Sequence, residues 1–428
     1  MAFPRKVAIV AANRIPFAKS NTDYFGVDNQ KMLAAAIQGI VDKANLHGKP
    51  VGEVVAGAVM KHSRDFNLVR ETVLDTTLCA TTPSTDLQQA CGTGLQSIIT
   101  VANKIALGQI DSAIAGGVDT TSDAPIAVSD GLQAMLMNLN KARSTGERLR
   151  ILLSFRPRFL LPRLPRNGEP RTGLSMGGHT ELTAKRWNIP REEQDQLAFE
   201  SHQKLNAAYE SGFMGDLISE FNGLKKDNLL RPQTSVEKLN TLKPAFDKDN
   251  GTLTAGNSSA LTDGASAVLL ASEDWAKQHD LPVLAYISDY ETAAVDFIGK
   301  DSSYEDDLLL APAYAVPRML ARNDLKLQDF DFYEIHEAFA AQVLATLNVW
   351  NDEEFCKSRL GLDGVLGTID RSKLNVNGSS LATGHPFAAT GGRIIGNLAK
   401  LLSQKGQGRG LVSICAAGGQ GVVAILER

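Results

Sequence analysis

The chain has 428 residues, 43% hydrophobic and 21% charged, with a formal net charge of −4. This is ordinary for a globular protein of about three domains whose core needs no disulfide staples. It gives no whole-molecule attraction to nucleic acid or to an anionic membrane.

The N-terminus, Met1-Ala-Phe-Pro-Arg-Lys-Val-Ala-Ile-Val, enters a strand at once and has no secretory h-region, and no apolar run is long enough to span a bilayer. These features predict a cytoplasmic protein, with an organelle matrix as the other compartment they allow. Cys79, Cys91, Cys356 and Cys415 lie far apart with no CxxC pair, which argues against a zinc site or a secreted disulfide framework.

In chain order, Val7–Val10 reads as a buried strand, residues 31–44 as a helix and Val51–Val59 as a second strand. Residues 92–107 read as an apolar helix, and Ser112–Val118 as a strand running into Gly116-Gly117. The order then repeats, with strand Pro282–Ser288, helix 312–322 and strand Asp331–Ile335. Next comes a helix over 386–404 beginning at Pro386, then strand Gly410–Ala416 before Gly418-Gly419. Strands alternating with helices predict a largely parallel sheet, and the repeat predicts a duplicated α/β unit. Helix 92–107 matches helix 386–404, and the two Gly-Gly pairs match as strand ends. Between the halves, 121–261 forms a different region. Within it, 141–172 carries nine Lys/Arg, two Glu and nine Leu/Ile/Phe. Two readings stay open for that stretch: a solvated insertion with its apolar residues folded onto the body, or a docking surface.

The chemistry-bearing residues sit where these elements begin and end. Cys91, in Gln-Gln-Ala-Cys-Gly-Thr-Gly, precedes a helix, where free N–H groups and the helix dipole should lower a thiol pKa. The alternative is a small buried hydrophobe. His385, between Gly384 and Pro386, occupies the equivalent place in the second half. It can take the proton of a thiol. Cys415 ends the last strand before a glycine-rich turn, as a second acid/base thiol or a plain core cysteine. His336 follows a strand and could donate to an oxyanion. Glu337 beside it orients a ring or satisfies amides.

The order Cys91, His336, His385, Cys415 resembles the thiolase family, the 3-oxoacyl-CoA thiolases and acetyl-CoA acetyltransferases. Further similar stretches are Arg14-Ile-Pro-Phe, Met176-Gly-Gly, Lys243-Pro-Ala-Phe-Asp, Gly251-Thr-Leu-Thr-Ala-Gly-Asn-Ser-Ser-Ala and Cys415-Ala-Ala-Gly-Gly. The likeness covers essentially the whole chain. It implies two βαβαβαββ halves in an α/β/α/β/α sandwich with an inserted loop domain. Residues 1–120 with 262–281 would form one half, 282–428 the other, and 121–261 the loop domain over the CoA site.

The resemblance also implies roles: Cys91 as acyl-accepting nucleophile, His385 as its base, Cys415 as the thiol that moves the α-proton of acetyl-CoA. His336 would hold the enolate oxygen, and the backbone N–H groups of Cys91 and Ala417 the tetrahedral oxyanion. Ser259, Met176 and Phe339 match residues lining the CoA tunnel. CoA and acyl-CoA would be substrates, with no metal and no permanently bound cofactor. Many family members have Asn where His336 stands; the histidine form is similar to the thiolase subunits of trifunctional fatty-acid oxidation enzymes. Glycine is usual where this chain has Ala417, so the turn tolerates alanine only if its φ is ordinary.

The likeness further implies a homodimer or homotetramer, with 141–172 available to dock on a fatty-acid oxidation partner subunit or a membrane surface. Expected activity is reversible thiolysis of 3-oxoacyl-CoA. The alternatives are biosynthetic acetoacetyl-CoA formation, a decarboxylating ketoacyl synthase, which would lack the second cysteine, and a scaffold subunit.

Overall fold

The computed structural model describes residues 4–166, 168–300 and 306–428. Its strands are β1 (Val7–Arg14), β2 (Ala18–Lys19), β3 (Glu53–Ala56), β4 (Ser84–Asp86), β5 (Ser112–Asp119), β6 (Thr262–Ser272), β7 (Ala285–Ala294), β8 (Phe332–Ile335), β9 (Arg409–Ala416) and β10 (Gln420–Glu427). The sheet order is β4-β3-β5-β6-β1-β7-β10-β9-β8, with β2 on β6.

The duplication is visible in the pairing. β5 runs parallel to β3 and antiparallel to β6, and β9 runs parallel to β8 and antiparallel to β10. Helix Thr93–Ala106 leads into β5 as helix Thr390–Lys405 leads into β9. The expected Gly-Gly correspondence does not hold. Gly116 and Gly117 lie inside β5, whereas Gly418 and Gly419 (φ 80° and 71°) make the β9–β10 hairpin.

The sheet is mixed, not largely parallel. Only β3 with β4 and β5, and β8 with β9, are parallel; the other named pairs are antiparallel. Each half ends on a strand that returns, β6 after the long excursion from β5 and β10 through a tight hairpin. β1 also pairs with β7 through Val7–Ile287, Ala8–Tyr286 and Ile9–Ala285, which joins the halves into one sheet.

Alternation along the strands builds three apolar layers. Val7 and Ile9 of β1 face inward with Val412 and Ile414 of β9. There they bury Leu95, Ile98 and Ile99 of one inner helix against Ile394, Ile395 and Leu398 of the other. Ala8 and Val10 face outward, onto Met32, Leu33 and Ile37 of helix Asn29–Lys43. In the second half, Leu411, Val423 and Ile425 face helices Ala311–Arg322 and Ala340–Trp350. Fully burying one such Leu or Ile contributes roughly 1.5–3 kcal/mol. This is the layered α/β sandwich with an inner pair of helices.

Several element ends differ from the sequence pattern. The strand read over Val51–Val59 stops at Ala56. A Cβ on Gly57 would lie 1.7 Å from the Leu87 carbonyl oxygen, so the chain turns there, and Val59 and Met60 give their N–H groups to Asp119. The second inner helix begins at Thr390 rather than Pro386; Pro386 is extended and a single 3₁₀ turn, Phe387–Ala389, intervenes.

The basic stretch forms helix Thr145–Leu153, capped by Ser144 and Glu147, and a 3₁₀ turn Pro157–Leu160. It packs beside helix Asp130–Lys141. Its apolar residues are not folded back: Leu149, Leu152, Leu153, Leu160, Leu161 and Leu164 are all exposed, Leu153 to 78%. Among the described residues no helix is long and apolar enough to cross a membrane.

A buried ion pair pins the loop region to the first half. Arg14 Nη1 and Nη2 reach Asp227 Oδ1 and Oδ2 at 2.6 and 2.7 Å, while Phe17 N–H and the Tyr209 hydroxyl also donate to that carboxylate. Truncating one partner of such a pair strands the other charge. Asp227→Ala should therefore lower unfolding stability by about 3–5 kcal/mol, read from the urea midpoint at pH 7. A loss under about 1 kcal/mol would show that the pair is solvated.

Candidate active site

Cys91 sits on a turn tied down from both sides. Ala90 before it has φ 46°, a left-handed conformation that costs a non-glycine residue roughly 1–2 kcal/mol. The Thr93 hydroxyl donates to the Ala90 carbonyl at 2.7 Å and accepts from Gln89 N–H at 2.8 Å. These bonds hold the strained turn and set the half-buried Cys91 just ahead of helix Thr93–Ala106.

His385 comes from the other half. Gly384 (φ 91°) makes the turn, and a Cβ there would lie 2.4 Å from Leu229. The His385 N–H donates to the Thr262 hydroxyl, Nδ1 contacts Thr390 Oγ1 at 2.6 Å, and Nε2 lies 3.1 Å from Cys91 Sγ. Asp119, at the end of β5, secures the approach. Its Oδ1 accepts from Val59 and Met60 N–H, and its Oδ2 accepts from Ala388 N–H at 2.8 Å. Burial pushes this carboxyl up to about 7. The sequence reading passed over Asp119, although an acidic residue ending a buried strand was the available signal.

His336 follows β8, fully buried, with Nδ1 2.9 Å from Ser380 Oγ and Nε2 3.2 Å from His385 Nε2. Cys415 is buried near the end of β9 and interacts electrostatically with Cys91. The backbone N–H groups of Ala417 and of Cys91 itself favour the ionised form of the Cys91 sulfur. Ala417 is absent from the residues with positive φ, so its methyl group meets no backbone penalty. The structure thus brings Cys91, His385, His336 and Ala417 together, with Cys415 alongside. Glu337 does not touch a ring; it accepts from Ser201, Asn375 and Leu381 N–H.

The residues matched to the CoA tunnel gather less tightly. Ser259 N–H bonds the Ala338 carbonyl, which places it beside Phe339, and Met176 opens helix Met176–Arg186. Phe246 bridges them: its ring meets Phe339 edge-on at 5.9 Å and fills the space a Cβ on Gly177 would need. The sequence reading quoted Phe246 only inside a stretch and gave it no part.

The electrostatics differ from the expected lowered thiol. Burial pushes Cys91 up to about 12, against the two N–H groups that pull it down, and burial together with Arg393 holds His385 down to about 3. Burial likewise puts Cys415 well above the ordinary thiol range and His336 well below the ordinary imidazole range. The helix-terminus argument left out the desolvation of the sulfur, which here outweighs it. Burial thus favours the neutral form of both members of the pair.

Comparison with known proteins places the chain in a family. Residues 7–274 match the model of the thiolase N-terminal domain and residues 281–428 that of the thiolase C-terminal domain. A 3-ketoacyl-CoA thiolase of Pectobacterium carotovorum subsp. carotovorum (strain PC1) is 40% identical over 428 residues, covering 99% of this chain and 96% of the relative. One from Shewanella baltica (strain OS185) is 41% identical, covering 99% and 97%. Among solved structures, human mitochondrial 3-ketoacyl-CoA thiolase in complex with CoA superimposes with TM-score 0.81 at 30% identity, covering 100% of this chain and 99% of that one. A Bacillus anthracis acetyl-CoA acetyltransferase gives 0.80 at 31% identity, covering 99% and 98%. Fold and comparisons together define an acyl-transferring enzyme of the α/β class. The chain belongs to the thiolase family.

A neutral resting thiol has a kinetic signature. Raising the Cys91 pKa to about 12 leaves little thiolate at neutral pH. Alkylation by iodoacetamide should therefore accelerate about tenfold per pH unit from pH 7 to 9. A plateau with a midpoint near neutrality would instead reveal a preformed thiolate–imidazolium pair.

Proposed function

We propose that this enzyme cleaves 3-oxoacyl-CoA by CoA to acetyl-CoA and a shortened acyl-CoA, through an acyl-Cys91 intermediate. The observation that carries this reading is the 3.1 Å approach of His385 Nε2 to Cys91 Sγ, with the Ala417 N–H favouring a thiolate on the same sulfur. His385 takes the thiol proton as the sulfur attacks the 3-keto carbon, so the charged pair forms during attack rather than before it. For this its Nε2 must be bare and its Nδ1–H must rest on Thr390 Oγ1. The tetrahedral oxygen is held by the N–H groups of Cys91 and Ala417, each such donor being worth on the order of 3 kcal/mol of barrier.

The C2–C3 bond then breaks and acetyl-CoA leaves as its enolate. His336, and His385 now carrying a proton on Nε2, donate to the enolate oxygen. Cys415 delivers the proton to carbon, for which a thiol that stays protonated in its apolar surroundings is suited. CoA next attacks the acyl-cysteine and gives its thiol proton to the Cys415 thiolate; the acyl–Cys91 bond breaks, the shortened acyl-CoA leaves, and the Cys91 sulfur takes back the proton held by His385. Run in reverse, the same site condenses two acetyl-CoA molecules, a reading favoured by the likeness to an acetyl-CoA acetyltransferase. The second cysteine speaks against a decarboxylating synthase.

CoA and acyl-CoA act as substrates, with Ser259, Met176 and Phe339 along the tunnel, and no permanently bound cofactor takes part. The loop region 121–261 covers that tunnel between the halves 1–120 with 262–281 and 282–428. The enzyme is a cytoplasmic homodimer or homotetramer. Its exposed helix and 3₁₀ turn within 141–172 dock on a fatty-acid oxidation partner subunit or a membrane surface; the exposed leucines interleaved with arginines support this.

Cys91→Ser should abolish thiolysis of 3-oxoacyl-CoA, because a serine hydroxyl is too poor an acid to be deprotonated by a base this weak. Near-native thiolysis would remove Cys91 as nucleophile. Cys415→Ala should still acylate from some thioesters but lose solvent-deuterium uptake into the acetyl-CoA methyl group, and unchanged uptake would exclude Cys415. Deleting 141–172 should abolish co-sedimentation with anionic vesicles, or binding of a purified oxidation partner. Retention of both would leave the stretch a plain insertion.

A further inference from the structure

Behind His336 lies a buried cation that the reaction described so far does not use. Arg393, on helix Thr390–Lys405, is 2% exposed. Its Nη2 reaches Ser379 Oγ at 3.2 Å and Ser380 Oγ at 2.9 Å. Burial pulls the guanidinium down to about 10, so it remains protonated at neutral pH. Glu334 on β8 is the carboxylate that favours its charge, with no direct hydrogen bond between them, and burial pushes that carboxyl up to about 8.

We propose that Arg393 and Ser380 are positioning residues: they fix His336 as the tautomer that carries its hydrogen on Nε2 and aim that hydrogen at the substrate's enolate oxygen. The argument is one of donors and acceptors. A guanidinium only donates, so Ser380 Oγ accepts from Arg393. The remaining partner of that hydroxyl, among the described residues, is His336 Nδ1 at 2.9 Å. The hydroxyl must place its own proton there, which makes Nδ1 an acceptor and leaves the ring hydrogen on Nε2.

The far side of the ring gives the same answer independently. His336 Nε2 faces His385 Nε2 at 3.2 Å. His385 Nε2 must be unprotonated to receive the Cys91 proton, so a bare His336 Nε2 would set two lone pairs against each other. With the hydrogen on His336, that donor shares a single acceptor with the Cys91 thiol until substrate arrives. The thioester carbonyl oxygen of bound substrate, which becomes the enolate oxygen on cleavage, then relieves the competition by taking the His336 hydrogen, which frees His385 for the thiol. The fixed positive charge of Arg393 also disfavours protonating either imidazole.

This inference rests on the enolate role given to His336, and the experiment separates the two. Solvent-deuterium uptake into the methyl group of acetyl-CoA would be measured with kcat, the KM for CoA and the rate of Cys91 alkylation by iodoacetamide. Ser380→Ala should lower uptake and kcat together by about tenfold or more. It should leave the KM for CoA at its native value and should not slow alkylation of Cys91, because His385 is held by Thr390 rather than by Ser380 and keeps its access to the thiol. Arg393→Lys, which keeps a cation and a donor, should retain more uptake than Arg393→Met. Should Arg393→Met fail to fold, Ser380→Ala decides alone, its folding checked by an unchanged Tm. Native uptake in Ser380→Ala overturns the relay while leaving His336 in place. Equal losses of uptake and of Cys91 alkylation also overturn it, by showing a general collapse of the site. No uptake by the native enzyme overturns the role of His336 and the relay with it.

Discussion

The site depends on two segments approaching more closely than side chains normally permit. A Cβ on Gly94 would lie 2.4 Å from the Ala388 carbonyl oxygen, one on Gly117 2.2 Å from the same oxygen, and one on Gly391 2.2 Å from Leu95 N. At these positions the start of one inner helix meets the chain leading into the other, backbone against backbone. That contact sets the distance between Cys91 and His385, which lie 294 residues apart in sequence. Asp119 clamps the same place from the end of β5 by taking the Ala388 N–H. Any side chain larger than hydrogen at Gly94 or Gly391 would push backbone, which cannot yield as a flexible side chain can.

Close packing also sets the charge state of the pair. The N–H groups of Cys91, just ahead of its helix, and of Ala417, just past β9, favour a charged sulfur. The same packing removes water, and removing water from a thiolate costs more than those groups return. A neutral pair that ionises only as substrate binds is less open to alkylation and oxidation than a standing thiolate.

Much of this was legible in the chain because the reacting groups sit at punctuation. Gly384-His385-Pro386, Cys415-Ala-Ala-Gly-Gly and Cys91-Gly-Thr-Gly each mark a turn, and a turn between a strand and a helix is where an α/β fold exposes chemistry. The duplication showed through the repeated order of elements. Sheet direction did not, because a buried strand has the same apolar run whether its neighbour is parallel or antiparallel. The ends of β3 and of the second inner helix were missed for a related reason. Gly57 and the 3₁₀ turn Phe387–Ala389 obey contacts made with Leu87 and Asp119, which are remote in sequence. The support of His336 by Ser380 and Arg393 is also a product of folding, since no local pattern links residues 336, 380 and 393.

The pairing of β1 with β7 has a mechanical meaning. Three residue pairs, Val7–Ile287, Ala8–Tyr286 and Ile9–Ala285, stitch the two halves into one continuous hydrogen-bonded surface. Such a surface has no hinge across its middle, so the halves cannot open and shut like the lobes of a clamp. Cys91 and His385, supplied from opposite sides of that seam and 3.1 Å apart, are therefore carried on one frame.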